Sequence, residues 1–464
     1  MAVDQCCSSA PQTKATWWHQ PLLRLGAWLR PLFGAVAKGE RYQTRVVALL
    51  MMAGTGLSLL RQAGPPALDT IWAEDGARFL TDALALPVWR SISHAYAGYL
   101  HLWPRAVGEL AAALPIRWAA AVFALIAAVL TAGMGALVYV ATGGHIRSIL
   151  ARLCIALSVT LVPNASFEIL NTTAASQFPL MFAVFWVLLW RPHNRAGVVV
   201  ACAVTLIGAL SAPLTVVFTP LAVARLLSLG SWRERAPALL VLAGAAVQIA
   251  VTLSQPFLSQ AGATLSDLAW MTLVRVALQA LAGTALAMRL WHGIGPNAAV
   301  AAGAVLLVVG VFALGRPGVS LHARLLAGVT GAYAAGLAVL SPWLRGGVAG
   351  MRWTAEATPL GGARYTYVPI LLVICLVAIA LDERPRAVPP GWWQTLRVAA
   401  LIVLAVPIAQ DLRAPNPRSQ GPRWSAEVNR AAAECRDLSK DTLVVIDHPP
   451  DFGAFFVTVP CARL

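Results

Sequence analysis

Lysine is nearly absent from this 464-residue chain: Lys14, Lys38 and Lys440 stand against 32 arginines. Acidic residues number only 20, and residues of either charge make up 12% of the sequence. Soluble domains carry about 25% charged and 45–50% apolar residues. With 58% hydrophobic residues and a mean hydropathy of +0.69, this composition excludes an ordinary soluble fold and points to a polytopic membrane protein. Arginine in place of lysine, with abundant Ala and Gly, is the usage expected of a GC-rich bacterial genome.

Other absences narrow the function. Residues 1–43 contain no short apolar stretch before a cleavage site, so no secretory signal is expected, and Cys6 and Cys7 lack the Leu-rich segment of a lipoprotein signal. There is no Walker A motif and no GxGxxG in a strand–helix setting, which argues against a nucleotide-driven pump. No metal-ligand spacing occurs. The net charge of +15 does not mark a nucleic-acid partner, because the basic residues are scattered over short segments between apolar runs.

Crossing a bilayer takes about 17–25 apolar residues. Such runs lie near 44–61, 118–142, 147–163, 177–190, 196–211, 212–228, 237–254, 296–315, 324–344, 366–381 and 397–411. The expected fold is an all-α integral membrane protein of about 11 transmembrane helices. The stretch 271–290 carries Arg275, Gln279 and Arg289 and reads as an interfacial or re-entrant helix, with a twelfth span as the alternative.

With the N-terminus inside, the inner segments hold 18 basic and five acidic residues, the outer ones 17 basic and 15 acidic. Cytoplasmic segments are the ones enriched in Lys and Arg. The expected layout is a cytoplasmic tail (1–43), a membrane domain (44–411) and an extracytoplasmic tail (412–464) in the plasma membrane. The odd number of spans sets the C-terminus outside. Residues 62–117 form a long first outer segment; 164–176, 255–295 and 345–365 are the other outer loops. The tail reads as a small α/β unit, a helix over 425–438 and strands over 442–446 and 454–459. Cys435 and Cys461 are its only cysteines. In an oxidising compartment a disulfide between them is expected, since so small a unit has little core; free thiols are the alternative. Cys154, Cys202 and Cys375 fall inside spans, where cysteine acts as a small apolar residue.

Two adjacent carboxylates, Glu74 and Asp75, follow the first apolar run. Carboxylates beside lipid are costly and tend to be functional. A general base on a sugar acceptor is the favoured role, and helix capping is the alternative. Asp75 is preferred slightly, because Gly76 leaves room for a ligand. A second cluster runs from His94 through Tyr96, Gly98, Tyr99, His101 and Trp103 to Arg105; its aromatics could stack on a sugar or form a membrane-interface belt. A third comprises Glu168, Asn171, Thr172, Thr173 and Gln177, suited to sugar hydroxyls or to loop capping. A fourth, Gly361–Pro369, sets Arg364 and Tyr365 at the mouth of a late span, where a guanidinium suits a phosphate. Arg364 as a snorkelling residue is the alternative.

In combination these features resemble the GT-C superfamily of polytopic glycosyltransferases, and actinobacterial multi-pass proteins of that kind in particular. The resemblance rests on the order of short motifs over residues 44–464: Trp72-Ala73-Glu74-Asp75-Gly76 after the first span, Ala97-Gly98-Tyr99-Leu100 and Pro104-Arg105, Asn171 and Gln177 ahead of Arg191-Pro192, Gly362-Ala363-Arg364-Tyr365 with Pro369, and Cys435 with Pro460-Cys461. It implies transfer of a sugar from a polyprenyl-phosphate donor to an envelope glycan or lipid acceptor at the outer face. Glu74 or Asp75 would be the general base. Arg364, Tyr365, Arg105, His94, Tyr99, Asn171 and Gln177 would bind substrate. Members differ in needing a divalent cation, Mg or Mn, and these residues do not specify one. Around the fourth span, Asn171-Thr-Thr-Ala-Ala-Ser-Gln177 departs from the aromatic or His common in relatives. A transporter or flippase of a lipid-linked intermediate and a non-catalytic scaffold of envelope assembly are the competing readings. Few polar residues inside the spans and no clear internal repeat favour the enzyme over a transporter.

Overall fold

The structure is a computed structural model and describes residues 19–36, 43–254, 263–345, 363–386, 388–450 and 453–464. Much of the expected cytoplasmic tail, and most of the expected loop 345–365 with Gly361 and Gly362, lie outside the described residues. Eight helices among them are long and apolar enough to cross a membrane: α1 (Gln43–Leu60), α2 (Ile116–Gly144), α3 (Trp232–Ser254), α4 (Leu265–Ile294), α5 (Pro296–Gly315), α6 (Leu321–Leu344), α7 (Arg364–Asp382) and α8 (Pro390–Gln410).

The chain is thus an all-α membrane protein, but the expected count of about 11 spans is not met. Four of the eleven apolar runs form shorter helices: Ile149–Leu161, Gln177–Leu189, Arg195–Ser211 and Pro213–Ser228. The physical reason is clearest at Gln177–Leu189. Its 13 residues reach about 20 Å at 1.5 Å per residue, and every side chain from Phe178 to Leu189 is buried by protein. A helix of that length falls short of the roughly 17–25 residues a span needs and is more often a core helix. The stretch 271–290 falls within α4. Its backbone is π-helical over Thr272–Leu278 and breaks at Gly283 (φ 69°). The Asp411 carboxylate, just past α8, accepts the N–H groups of Thr284 and Ala285 that the break releases.

The bundle has two distinct ends. At one, the Asp382 carboxylate at the end of α7 accepts the N–H groups of Arg147 and Ser148 (3.1 and 2.9 Å), and Arg397 donates to Leu381 O (2.8 Å). There too, Arg191 pairs with Glu234 at 2.8 Å. The other end carries residues 62–118 and the C-terminal tail, which share one core. In the tail, helix Trp424–Glu434 covers the antiparallel strands β1 (Leu443–Asp447) and β2 (Phe456–Pro460), with Val444 opposite Val459 and Ile446 opposite Val457. These four side chains alternate inward with the period of two that a strand imposes. They pack with Trp424 and Val428 against Ile71, Phe79 and Leu80 of the first segment. Trp424 Nε1 donates to Ile116 O (2.9 Å), and Asp69 accepts from the N–H and hydroxyl of Ser425 (2.8 and 2.9 Å).

Parity of span count no longer places the C-terminus; these contacts put the tail beside residues 62–118 directly. Cys435 and Cys461 are joined in a disulfide at the edge of this core. With a sequence separation of 26 between the two cysteines, the bridge is expected to contribute about 3 kcal/mol by restricting the unfolded tail. The Cys435→Ser/Cys461→Ser double variant should shed the tail faster under limited proteolysis. An unchanged cleavage rate would mean that packing alone holds it.

Candidate active site

Glu74 and Asp75 are adjacent in sequence but face different surroundings. The chain leaves α1, turns through Ala73 in the left-handed region (φ 43°), and starts a π-helical stretch at Asp75–Leu80. Positive φ is uncommon outside glycine, and π-helical turns are rare and concentrate at functional sites. Ala73 N–H donates to Pro449 O of the tail (2.9 Å), which fixes the turn.

Asp75 points into the protein and is fully buried. One carboxylate oxygen accepts from the Thr173 hydroxyl (2.6 Å) and Ala174 N–H (2.9 Å), the other from Thr173 N–H (3.0 Å). Burial pushes its pKa up to about 6, while the hydrogen bonds from Thr173, Thr172 and Ala174 pull it back. Gly76 does not face a ligand. A Cβ there would collide with His448 and Ile71, so this glycine admits the tail instead.

Glu74 opens into a cavity of about 130 Å³. Its side chain is 20% exposed, against none for Asp75. Glu74 Oε1 lies 4.0 Å from Arg364 Nη1, and Arg364 Nε lies 4.0 Å from Glu168 Oε2. The Arg364 main-chain N–H also donates to Glu168 Oε2 at 3.2 Å. Trp72, Phe79, Tyr96, Tyr99, His101 and Tyr365 supply aromatic walls, and Gln177 and Thr172 add polar groups.

One wall is a tight turn. Tyr96 and Tyr99 exchange backbone hydrogen bonds (3.0 and 3.2 Å), and the two residues between them, Ala97 and Gly98, have φ of 53° and 85°. Positive φ at both central positions is the mark of a type I′ turn. α3 holds it from behind: Thr252 donates to Gly98 O (2.9 Å), and Gln248 accepts Leu100 N–H (3.0 Å). His101 stacks on Tyr99 at 4.0 Å between ring centroids. Among the described residues, the three non-glycine positions with positive φ are Ala73, Ala97 and Asn171. Ala97 lines this cavity, and Ala73 and Asn171 are each next in the chain to a residue that does. Strained backbone of this kind clusters at functional sites.

Next to the polar cavity is a second one of about 190 Å³. The two share Tyr99, Gln177, Phe178 and Tyr365 as a common wall, and the second is otherwise lined by Pro213, Leu214, Leu344, Gly98, Thr252 and Ser341. A carboxylate-and-guanidinium chamber thus abuts a more apolar groove between helices.

The remaining sequence candidates lie elsewhere. Arg105 is buried and pairs with Asp82 at 2.9 Å, and His94, 55% exposed, meets the same carboxylate at 3.2 Å. Neither lines the cavity. Asn171 exchanges hydrogen bonds with Ser58 of α1, both 2.9 Å, so it ties the loop to a helix. Tyr99, Gln177, Arg364 and Tyr365 do line the cavity. Glu168 read from sequence only as one of a loop cluster, yet its rarity as an acid in an apolar chain is the argument that singled out Glu74. No group of three His, Cys, Asp or Glu that could hold a metal converges among the described residues, and the guanidinium stands between the two carboxylates a cation would bridge. Comparison with family models, curated proteins and solved structures returned no match.

Replacing Asp75 tests its structural role. Asp75→Ala leaves the Thr173 and Ala174 N–H groups buried and unpaired, a cost of about 2–4 kcal/mol. Burial binds the Asp75 proton more tightly in the fold than in the unfolded chain. The corresponding stabilisation is therefore complete below about pH 4 and lost as pH rises to about 6, a swing of about 3 kcal/mol. Melting curves between pH 4 and 7 should show wild type losing stability relative to Asp75→Asn as pH rises. Parallel curves would mean that burial does not raise the proton affinity of Asp75.

Proposed function

We propose that the chain is an integral membrane glycosyltransferase of the GT-C type. In this reading it moves a sugar from a polyprenyl-phosphate donor to an envelope glycan or lipid at the outer face, with the end bearing Glu74 outermost. The observation that carries the reading is the juxtaposition of two chambers. One holds a partly exposed carboxylate 4.0 Å from a guanidinium within aromatic walls; the other is a groove of mainly apolar lining. An amphiphile with a phosphorylated sugar head and an isoprenoid chain matches both. The excess of arginine in the segments at the opposite end agrees with that end being cytoplasmic.

Glu74 is the base in this scheme, since both oxygens of Asp75 are engaged in holding Thr173 and Ala174. Its carboxylate takes the proton of an acceptor hydroxyl. The acceptor oxygen forms its bond to the anomeric carbon as the carbon–oxygen bond to phosphate breaks. The lipid phosphate leaves with the bonding pair, and Arg364 balances its charge. A fixed cation in a partly dry site is commonly a large share of catalysis. Tyr96, Tyr99 and Trp72 offer faces for the sugar ring, and Gln177, 3.4 Å from the Tyr99 hydroxyl, offers an amide to its hydroxyls. His94 and Arg105 have no part here; their shared partner Asp82 gives them a structural one.

The test is the profile of envelope glycans and lipid-linked sugars in cells with wild type, Glu74→Gln or Arg364→Ala at equal membrane abundance. A general base is worth roughly 10²–10⁴-fold. Glu74→Gln should therefore abolish one glycan while its lipid-linked donor accumulates. An unchanged profile in Glu74→Gln would overturn the enzyme reading and favour a scaffold.

A further inference from the structure

Arg364 is reached by two carboxylates from separate segments, and neither satisfies it. Glu74 comes from the first long segment and Glu168 from the second, each 4.0 Å from a different guanidinium nitrogen. Those separations are ion pairs at their outer limit, too long for a hydrogen bond. Arg364 Nε is buried and has no hydrogen-bond partner. A guanidinium in this state is attracted but unsatisfied. The other acids near the site are already engaged: Asp75 with Thr173 and Ala174, and Asp82 with Arg105 and His94.

We propose that Glu168 is a positioning residue that holds the Arg364 guanidinium beside Glu74 while the site is empty, so that the phosphate group of an arriving lipid draws Arg364 away and frees Glu74. This rests on the function proposed above and adds an order of events to it.

Glu168 is the fixed member of the trio, because it also accepts the Arg364 main-chain N–H (3.2 Å) and so sits against the first turn of α7. Phosphate offers a guanidinium two parallel, short, charge-assisted hydrogen bonds, which neither carboxylate provides in this geometry. Arg364 needs only a side-chain rotation to exchange partners, and Tyr365 and Phe178, which line both chambers, mark where the headgroup of a lipid in the groove arrives. Until then Glu74 is occupied by a cation and closed to an acceptor hydroxyl. Donor binding then precedes acceptor activation, which protects the base from water in the empty site.

The experiment compares wild type, Glu168→Gln and Arg364→Ala, purified in lipid nanodiscs, for binding of farnesyl phosphate, alongside glycan formation in cells. In Glu168→Gln the new amide oxygen can still accept the α7 N–H, so the fold should survive; melting temperatures check this. Freed from one competing carboxylate, Arg364 should bind farnesyl phosphate about 3- to 5-fold more tightly in Glu168→Gln. Glycan formation should fall, because the guanidinium has lost its register. Tighter binding with slower transfer is a split that a merely structural role would not produce. Equal or weaker binding in Glu168→Gln, with Arg364→Ala defective, would overturn the role of Glu168 and leave the site intact. No binding by wild type, or undiminished binding by Arg364→Ala, would overturn the placement of the phosphate and this proposal with it.

Discussion

Both oxygens of the Asp75 carboxylate are held by a single stretch of backbone, Thr173–Ala174, and the site depends on that grip. The two segments it joins are 98 residues apart in sequence. With the grip in place, Glu74 and Glu168 face one cavity at a spacing that Arg364 can bridge. The cost is a buried carboxylate, offset by two backbone donors and one hydroxyl. Neighbouring acids thereby divide: one is buried and ties two segments together, the other faces the cavity.

A second layer of restraint comes from the tail. Arg418 donates to Leu170 O (2.8 Å) and Gln62 Oε1 (3.2 Å) and lies over the Trp72 ring at 4.8 Å. Pro449 and His448 hold Ala73 and Gly76 on the far side of the same turn. Burial pushes the His448 imidazole down to about 4, so it packs as a neutral ring at neutral pH. The strained φ at Ala73 is thus over-determined from several directions, which is how unfavourable backbone persists. The tail buttresses the turn that carries Glu74 from behind, without lining the cavity itself.

Composition and periodicity made the membrane class, the tail helix and its two strands legible, because each follows from local pattern. The span count was not, because hydropathy reports an apolar environment and cannot say whether lipid or protein supplies it. The acidic pair stood out through rarity alone, but its division between a cavity-facing and a buried carboxylate is set by a backbone turn whose strain falls on an alanine, a residue that gives no hint of positive φ. Arg105 and His94 looked like ligand-binding groups; their shared partner, Asp82, becomes their neighbour only through tertiary packing. Gly76 read as space for a substrate, and the space is filled by the tail.

The buried helix Gln177–Leu189 has a consequence for biogenesis. Its 13 residues are too short to hold themselves across a bilayer and are enclosed by neighbours that come both earlier and later in the chain, α2 and α7 among them. α7 begins only at Arg364, and four long apolar helices, α3 to α6, lie between it and the buried helix in the chain. The buried helix therefore cannot settle in the order in which it leaves the ribosome. Its enclosure closes only when its late partner α7 is in place, so the packing around this helix is completed by a segment far along the chain.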